Sequence, residues 1–420
     1  MKKKMKLIAK AIRESFIAGP LDYNLFFTIV FLNVYGIIMI YSASYNNTIS
    51  RADYFFKGQF KNVMIGMAAI IIISFLDYHR VLKLFWGAGW GTFMIIFSLL
   101  LLTPLAVSEL GATRWIKIGP ISFQAAEPIK ASAILFYAWY IKKIGLNTLA
   151  KQLFAFAFAI GSGGLLFVLS NNLSTAIVLV GMSVCMIMIS LRKRELKIYS
   201  RIAIVLCLLL VLIFLVPALL DVGGDFRHTR IRAWFNPEEY ASDQGLQAMQ
   251  AKYAIGAGGI WGKGIGQSLI KYKLPYAYND FILAIICEEL GVFGVTLMLI
   301  LFGYMLYRIY ITAVNAWDIE GKLICIGVFA QVAIQLILNI MVVTSLFPTT
   351  GVTLPFFSAG GTSVLFLLAE LGLVLNIDKY AKDRRFREEA ERYVERQEQR
   401  GGIGPAGWKR RLSDPSEDDE

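Results

Sequence analysis

The chain has 420 residues, 57% of them hydrophobic, and a mean hydropathy of +0.59. Lys and Arg number 42 against 30 Asp and Glu, so the formal net charge at pH 7 is +12. A soluble domain of this size does not need so much apolar surface, and the composition excludes water-soluble enzyme classes. Apolar segments of about 20 residues, long enough to cross a bilayer as helices, recur along the chain and predict an integral membrane protein.

The sequence predicts an all-α, polytopic fold with about ten transmembrane helices, because each helix satisfies its own backbone hydrogen bonds in lipid. The predicted spans lie near residues 23–43, 58–76, 83–103, 127–141, 153–170, 173–191, 202–220, 281–306, 323–345 and 361–377. The fourth is short and carries Glu127 and Lys130. Barrel strands are excluded, since the segments are far longer than such strands and do not alternate.

Lys and Arg are distributed unevenly among the predicted connections. The segment 1–22 is basic, and the connections on its side of the membrane are richer in Lys and Arg than the short connections opposite. The positive-inside rule therefore predicts that both termini are cytoplasmic. This topology, together with attraction to anionic lipid, explains the net charge, and no nucleic-acid partner is predicted.

The chain contains four cysteines, all within predicted spans, and two histidines. The cysteines do not have the spacing of metal ligands, and they indicate no disulfide framework. With two histidines, a His-based metal site and a Ser-His-Asp triad are both disfavoured.

Three regions follow from the predicted topology. Residues 1–22 form a basic cytoplasmic N-terminus, residues 23–378 a membrane domain, and residues 379–420 a charged cytoplasmic tail. Two outer loops, at about 104–126 and about 221–280, are long enough to hold structure, and the larger connects helices 7 and 8. Long ordered loops on a rigid scaffold tend to carry function, so these loops are candidates for a site.

Residues 346–360 are rich in Pro, Gly and Thr and cannot form a regular helix. Irregular backbone close to a membrane is tolerated where it lines a cavity or is covered by protein. The segment is therefore predicted to be a re-entrant or cap-like loop.

Asp280 lies where the large outer loop meets the eighth span. A carboxylate at that boundary is partly desolvated yet can meet a substrate from the water side, which raises its pKa and makes a usable general base. An alternative, compatible role is the N-cap of the following helix. Glu288 and Glu289 lie deeper, where pairing with a cation or a polar group of another helix is the favoured interpretation.

Glu127 and Lys130 are three residues apart and share one face of the fourth span. They form either an ion pair within the membrane or the charged wall of an active cavity, and the sequence does not favour one of these two.

Residues 256–266 are dense in glycine, with Lys263, Lys271 and Lys273 close by. Exposed backbone amides and lysines would suit a phosphate or pyrophosphate. The spacing is neither a Walker loop nor a dinucleotide fingerprint. From composition alone, the favoured interpretation is a loop that merely needs to bend.

Several motifs in combination resemble the SEDS family of shape, elongation, division and sporulation proteins, over roughly residues 22–378. They are Tyr41-Ser42-Ala43-Ser44, Arg114-Trp115-Ile116, Gln124-x-x-Glu127-x-x-Lys130, Leu173-Ser174-Thr175-Ala176, the glycine run at 256–266, Leu274 to Gly291, and Thr350 to Ser358. Members are ten-span bacterial membrane enzymes that polymerise lipid II into peptidoglycan glycan strands. The resemblance implies the same fold and the same glycosyltransferase activity.

The resemblance also implies roles for individual residues. Asp280 matches the family's catalytic aspartate, and Glu127 and Lys130 match the charged pair that lines the family's central cavity. The further residues predicted to bind substrate are Arg114, Arg227, Arg230, Lys263 and Lys271. Basic residues of the large loop, or a bound divalent cation (Mg or Mn), are candidates to neutralise the leaving pyrophosphate, and no cofactor is otherwise predicted.

The chain departs from the family pattern beside these residues. Ala125-Ala126 replace a usual Pro-Ser, and Tyr278-Asn279 replace a usual His-Thr before Asp280. Asn171-Asn172 stand where Pro-Asp is common, so Asn172 is given no acidic role. The departures put neighbouring contacts in doubt and leave the assignment of Asp280 unchanged.

Residues 232–237 and 286–291 look like the division branch of the family, with the sporulation and elongation branches as alternatives. The implied partners are lipid II, a transpeptidase of the class B penicillin-binding type, other division proteins and membrane lipid. The implied location is the bacterial cytoplasmic membrane at the division septum.

Two readings without catalysis stay open, a lipid II flippase and a scaffold. A flippase would also need a polar cavity with Glu127 and Lys130 on its wall, but it would move lipid without making polymer. A secondary transporter is disfavoured, because the broken segment near 348–360 has no counterpart in the first half of the chain.

Overall fold

A computed structural model describes residues 20–45, 49–84, 86–109, 112–118, 121–199, 201, 234–235, 239, 245–274 and 277–399. The predicted seventh span, at 202–220, lies outside the described residues. So do Arg227, Arg230 and most of the first part of the large outer loop, up to residue 244, together with most of the N-terminal segment and the end of the tail.

The described chain is mainly helical, which confirms the predicted fold class. The helices are α1 (Tyr23–Ser44), α2 (Ile49–Phe75), α3 (Tyr78–Lys83), α4 (Gly89–Leu99), α5 (Ala126–Lys143), α6 (Leu149–Ser170), α7 (Leu173–Ile189), α8 (Gly245–Gly258), α9 (Ile282–Asn315), α10 (Ile319–Val343) and α11 (Thr362–Gln399). In the described part of the chain, 5 helices, namely α1, α2, α6, α9 and α10, contain a stretch long and apolar enough to cross a membrane. The count of ten spans stays a prediction.

Polar residues at the helix ends explain where several helices begin. The carboxylates of Asp22 and Asp318 accept the backbone N–H of Leu25 (3.2 Å) and Gly321 (2.8 Å), capping α1 and α10. Capping oxygens satisfy amides that have no partner within the helix. The last helix, α11, continues without a break from its apolar half into the charged segment that was assigned to the tail.

The outer loop predicted at 104–126 holds a small antiparallel sheet that the sequence analysis did not assign. Its strands are β1 (Ala106–Glu109), β2 (Ala112–Ile118) and β3 (Ile121–Gln124), in the order β1-β2-β3. Trp115 on β2 lies opposite Gln124 on β3. The sheet therefore carries Arg114 on its central strand and ends directly before α5.

Two sets of helix contacts hold the bundle together. The helix α11 packs along α2, and α9 packs against α10, α1 and α8. Close approach of backbones requires glycine at Gly36, where a Cβ would overlap the backbone of Phe356. The irregular segment 346–361 is thereby inserted among α1, α9 and α10.

A charged cluster, which we call the His79 cluster, joins α3, α5 and α10 at one end of the bundle. The imidazole Nδ1 of His79 lies 2.7 Å from Asp77, and its Nε2 lies 2.7 Å from Asp318. Lys142 lies 2.5 Å from Glu320, whose carboxylate is 3.9 Å from His79. Each of these charges thus has an opposite charge beside it.

Candidate active site

Asp280 lies in the turn that leads into α9. The helix begins at Ile282 with Phe281 at its N-cap, and that side chain makes no capping hydrogen bond. The alternative prediction that Asp280 caps this helix is therefore wrong, because the cap position belongs to the next residue. The carboxylate is left available for contacts outside the helix.

The backbone at Asp280 is fixed by a buried amide of α10. The side-chain Nδ2 of Asn339 donates to the carbonyl oxygen of Asp280 (2.9 Å) and to that of Val352 (2.7 Å). Asn339 is fully buried. One side chain therefore joins the turn before α9 to the segment 346–361.

The segment 346–361 is irregular, as predicted from its Pro and Gly content. The hydroxyl of Ser358 accepts the N–H of Leu354 (2.7 Å) and donates to the carbonyl of Asn279 (2.8 Å). The N–H of Ala359 donates to the carbonyl of Tyr278 (3.0 Å). These bonds satisfy backbone groups that no helix or strand satisfies, and they hold the two loops together.

The same segment is tied to the start of α7. The hydroxyl of Ser174 donates to the carbonyl of Thr350 (2.7 Å). Asn172 caps α7 by accepting the N–H of Thr175 (3.3 Å), a role that an amide fills without an acidic group. The start of α7 is thus part of the wall around Asp280.

The carboxylate of Asp280 and the guanidinium of Arg114 both lie next to Gly351. Its φ of +72° lies in the left-handed region, and a Cβ there would lie 3.1 Å from Asp280 Oδ2 and 3.3 Å from Arg114 Nη1. A side chain at this position would wedge between two charged groups. The arrangement therefore places the predicted base beside a cation supplied by the outer sheet.

The electrostatics of Asp280 suit a general base. Burial raises the pKa of its carboxyl above the usual value, and the positive charge of Arg114 opposes that rise. The residue as a whole is partly exposed, so a substrate hydroxyl can approach it. A carboxylate that a substrate can reach, and whose pKa is raised, is a stronger base than a carboxylate in bulk water.

The Glu127 and Lys130 pair forms a buried ion pair on α5. The ammonium lies 2.9 Å from Glu127 Oε2, and the two side chains are 5% and 1% exposed. Glu127 also lines a cavity of about 20 Å³, large enough for one water molecule, beside Ser358 and Gln331. The ion pair is therefore present, and the role of the two residues as the wall of an active cavity stays a prediction.

Sequence reasoning missed Glu370, which lies on α11 beside this pair. It is 3% exposed, and its Oε2 accepts the side-chain N–H of Gln331 at 2.7 Å. The signal was present, because one acidic residue interrupts the apolar stretch 364–377.

Lys263 and Lys271, both predicted to bind substrate, are engaged by the two glutamates of α9. Lys263 Nζ lies 2.7 Å from Glu288 Oε1, and Lys271 Nζ lies 3.7 Å from Glu289 Oε1. The hydroxyl of Ser42, on α1, donates to Glu289 at 2.5 Å. The favoured interpretation of both glutamates as paired residues is confirmed, although their cations come from a loop.

The two lysines differ in what they can still reach. Lys271 is fully buried, and its ammonium also donates to the carbonyl of Gly266 (2.7 Å), which leaves it no open face. Lys263 is 32% exposed and could still contact a ligand. Burial leaves Lys271 less room than Lys263 to contact a ligand, and substrate binding by either lysine stays a prediction.

The glycine run at 256–266 packs against a break in α9. Gly291 has φ 63° and ψ −160°, which interrupts the helix. The amides of Lys263 and Gly264 donate to the carbonyls of Glu288 (2.9 Å) and Glu289 (2.8 Å). The run supplies backbone partners to a broken helix, which agrees with the favoured interpretation of a loop that needs to bend.

The chain is similar to known proteins over most of its length. Residues 23–383 match the FtsW, RodA and SpoVE family model, described as a cell cycle protein. This match confirms the SEDS resemblance, and the chain belongs to this family of membrane proteins.

Two relatives come from Bacillus subtilis (strain 168). One, named probable peptidoglycan glycosyltransferase FtsW, is 32% identical over 406 residues, which are 93% of this chain and 96% of the relative. The other, named stage V sporulation protein E, is 34% identical over 366 residues, 84% of this chain and 96% of the relative.

Solved structures share the fold. A chain from a study titled "Structural coordination of polymerization and crosslinking by a peptidoglycan synthase complex" superposes with a TM-score of 0.69 at 23% identity, covering 86% of this chain and 98% of that chain. The rod shape determining protein RodA of Thermus thermophilus superposes with a TM-score of 0.60 at 22% identity, covering 86% and 97%. The helical membrane architecture is therefore that of known family members.

Proposed function

We propose that this chain is a peptidoglycan glycosyltransferase that polymerises lipid II during septal wall synthesis, with Asp280 as its general base. The observation that carries the proposal is the carboxylate of Asp280. Burial raises its pKa, and hydrogen bonds from Asn339 and Ser358 fix the turn that holds it. The relatives named glycosyltransferases support the reaction class.

The reaction is a single displacement at the outer face of the membrane. Asp280 takes the proton from an acceptor sugar hydroxyl of lipid II. That oxygen forms a bond to the anomeric carbon of the lipid-linked strand, while the bond from this carbon to the pyrophosphate oxygen breaks. Undecaprenyl pyrophosphate leaves, and one carboxylate base is enough because cations can neutralise the leaving group.

Arg114 is the cation that the described residues place beside Asp280. We assign it to the charge that develops on the pyrophosphate, with Lys263 as a second contributor from the loop. Arg227 and Arg230 remain candidates for the same task, as does a divalent cation. We assign the buried pair of Glu127 and Lys130 to the polar wall of the substrate cavity.

The same proposal extends to partners and location. A family structure comes from a complex that couples polymerisation to crosslinking, which supports a class B penicillin-binding transpeptidase as the partner. We place the enzyme in the bacterial cytoplasmic membrane at the septum, with both termini cytoplasmic and in contact with other division proteins. The division role is favoured over sporulation and elongation by the names of several relatives.

The decisive experiment is glycan polymerisation from lipid II by the purified full chain with its transpeptidase, whose own active site is blocked. Wild type is compared with Asp280→Asn, which keeps the shape and removes the base. The matched control is Asp53→Asn, the same change at a half-exposed residue of α2.

We expect polymer from wild type and Asp53→Asn, and about a hundredfold less or none from Asp280→Asn. Polymer from all three would overturn the role of Asp280 as base. Lipid translocation without polymer, lost on changing Glu127 or Lys130 more than Asp280, would establish the flippase instead.

A further inference from the structure

Glu370 and Gln331 face each other inside the bundle, on α11 and α10. The two residues are 3% and 1% exposed, so bulk solvent does not reach either side chain. The side-chain N–H of Gln331 donates to Glu370 Oε2 at 2.7 Å. The interaction joins two helices at the level of the Glu127 and Lys130 pair.

The remaining oxygen of each group lacks a hydrogen-bond partner. Within the described part of the chain, Glu370 Oε1 and Gln331 Oε1 are both buried acceptors without a donor. Buried polar atoms are almost always paired, and leaving two acceptors unsatisfied is costly. The two oxygens are the atoms that a head-to-head carboxylic acid and primary amide join by their second hydrogen bond.

The charges around the pair point the same way. Lys130 lies 2.9 Å from Glu127, and together they form a complete ion pair in a buried place. An ionised Glu370 would add a second negative charge beside a single ammonium. An uncompensated charge within a membrane protein is strongly disfavoured, whereas a protonated carboxyl does not carry this cost.

We propose that Glu370 is protonated in the folded protein, with the proton on Oε1 donated to Gln331 Oε1. The carboxylate takes this proton from water as the chain folds, and the new O–H closes a cyclic acid–amide pair. One proton thereby gives both oxygens a hydrogen-bond partner, and Glu127 remains the single counter-ion of Lys130.

The protonated carboxyl gives Glu370 a task in the cavity beside Glu127. Gln331 lines that cavity together with Ser358 and Thr353, so the acid–amide pair fixes which face the amide turns to the cavity. Ser358 in turn holds the turn of Asp280 through Asn279. Glu370 is therefore a positioning residue that acts through Gln331.

The test combines infrared spectroscopy with unfolding of the full chain, and it does not depend on the proposed enzymatic activity. A protonated carboxylic acid has a carbonyl stretch above the amide band, and ¹³C-labelled glutamate separates this signal from any aspartate such as Asp280. The comparison includes wild type, Glu370→Gln, Glu370→Ala and Glu127→Gln.

At neutral pH we expect wild type to show a glutamate-specific acid band that disappears in Glu370→Gln. Because glutamine can close the same cyclic pair, Glu370→Gln should unfold at nearly the wild-type temperature. Glu370→Ala and Glu127→Gln should each lower that temperature by several degrees, since they leave a buried amide or a buried ammonium unpaired.

Two results would overturn the proposal. The first is a wild-type spectrum without a glutamate acid band at neutral pH, which needs no variant and would show that Glu370 is ionised. The second is a destabilisation of Glu370→Gln as large as that of Glu127→Gln, which would identify Glu370 as a counter-ion of Lys130.

Discussion

The Asp280 turn and the His79 cluster each contain an aspartate, and the pKa values of the two carboxyls shift in opposite directions. In the cluster, Asp318 accepts from His79 (2.7 Å), Tyr78 (2.8 Å) and the amide of Gly321 (2.8 Å). Although burial opposes its charge, these bonds lower the pKa of Asp318 to about 2. Burial instead raises the pKa of Asp280, because Arg114 compensates it only in part. A fully paired carboxylate stabilises the fold, and an incompletely paired one is left able to do chemistry.

The most direct test of this comparison is to replace aspartate by asparagine at both positions, Asp280 and Asp318. Asp280→Asn should reduce polymerisation by about a hundredfold or more while leaving the free energy of unfolding unchanged or slightly raised. The reason is that a raised pKa marks a charge that the fold disfavours, and asparagine removes that charge. Activity and thermal unfolding are measured on the same preparations, and a large loss of stability would contradict the comparison.

At the other end, Asp318→Asn should lower the free energy of unfolding by about 2 kcal/mol, because the charge that holds His79 is lost. Polymerisation per folded molecule should stay near that of wild type. Chemical unfolding in detergent, with Asp53→Asn as the control, measures the effect. An activity loss without a stability loss would show that the cluster takes part in the reaction.

The pH dependence of stability sharpens the comparison further. Burial disfavours a charged His79, but hydrogen bonds to Asp318 and Asp77 outweigh it and raise its pKa to about 9. Because the folded-state pKa is raised, this stabilisation is complete below about pH 6.5 and is lost as pH rises through about 9. We expect stability to fall by about 3 kcal/mol over that window. In His79→Gln the fall should be absent, and an equal fall in both proteins would contradict the assignment.

Arg114→Gln tests whether the guanidinium of Arg114 limits the rise in the pKa of Asp280. Without the guanidinium, the pKa of Asp280 should rise further, so the acidic limb of the activity profile should move to higher pH. At pH values below neutrality, activity should fall several-fold more than at high pH. Lys117→Gln, an exposed residue of the same strand, is the matched control. A uniform loss at all pH values would assign Arg114 to the leaving group alone.

The smallest expected effect concerns the wall around Asp280. Ser174→Ala removes the hydroxyl that donates to Thr350 and should cost about 1 kcal/mol of stability, with a modest loss of activity. Ser183→Ala is the control, because its hydroxyl bonds the carbonyl of Leu179 one turn back in the same helix. Equal effects of the two substitutions on activity would show that the tie to Thr350 does not position the site.

Much of this could be predicted from the sequence, because the signals are local. Long apolar stretches predicted helices, Pro and Gly predicted the irregular segment 346–361, and the place of Asp280 beside an apolar helix predicted its burial. The strands β1 to β3 were missed because they are short and lie in a segment read only as a loop.

What the sequence could not supply are contacts between distant residues. Gln331 and Glu370 are 39 positions apart, and Ser42 and Glu289 are 247 apart. Which cation meets which buried acid is decided by how the helices pack, and a basic loop residue such as Lys271 looks the same in sequence whether it binds a ligand or a neighbour. The residues that proved hardest to interpret are therefore the buried charges.

The break in α9 limits which substitutions this part of the chain can accept. Gly258 abuts the backbone at Cys287, Gly262 abuts the backbone at Glu289 and Leu290, and Gly291 abuts the backbone at Ile260 and Gly262. A methyl group on any of the three would strike main chain that cannot move aside, so each forbids change at its own position whatever residue the others become. At this break, backbone contacts restrict substitution most at the positions that carry no side chain.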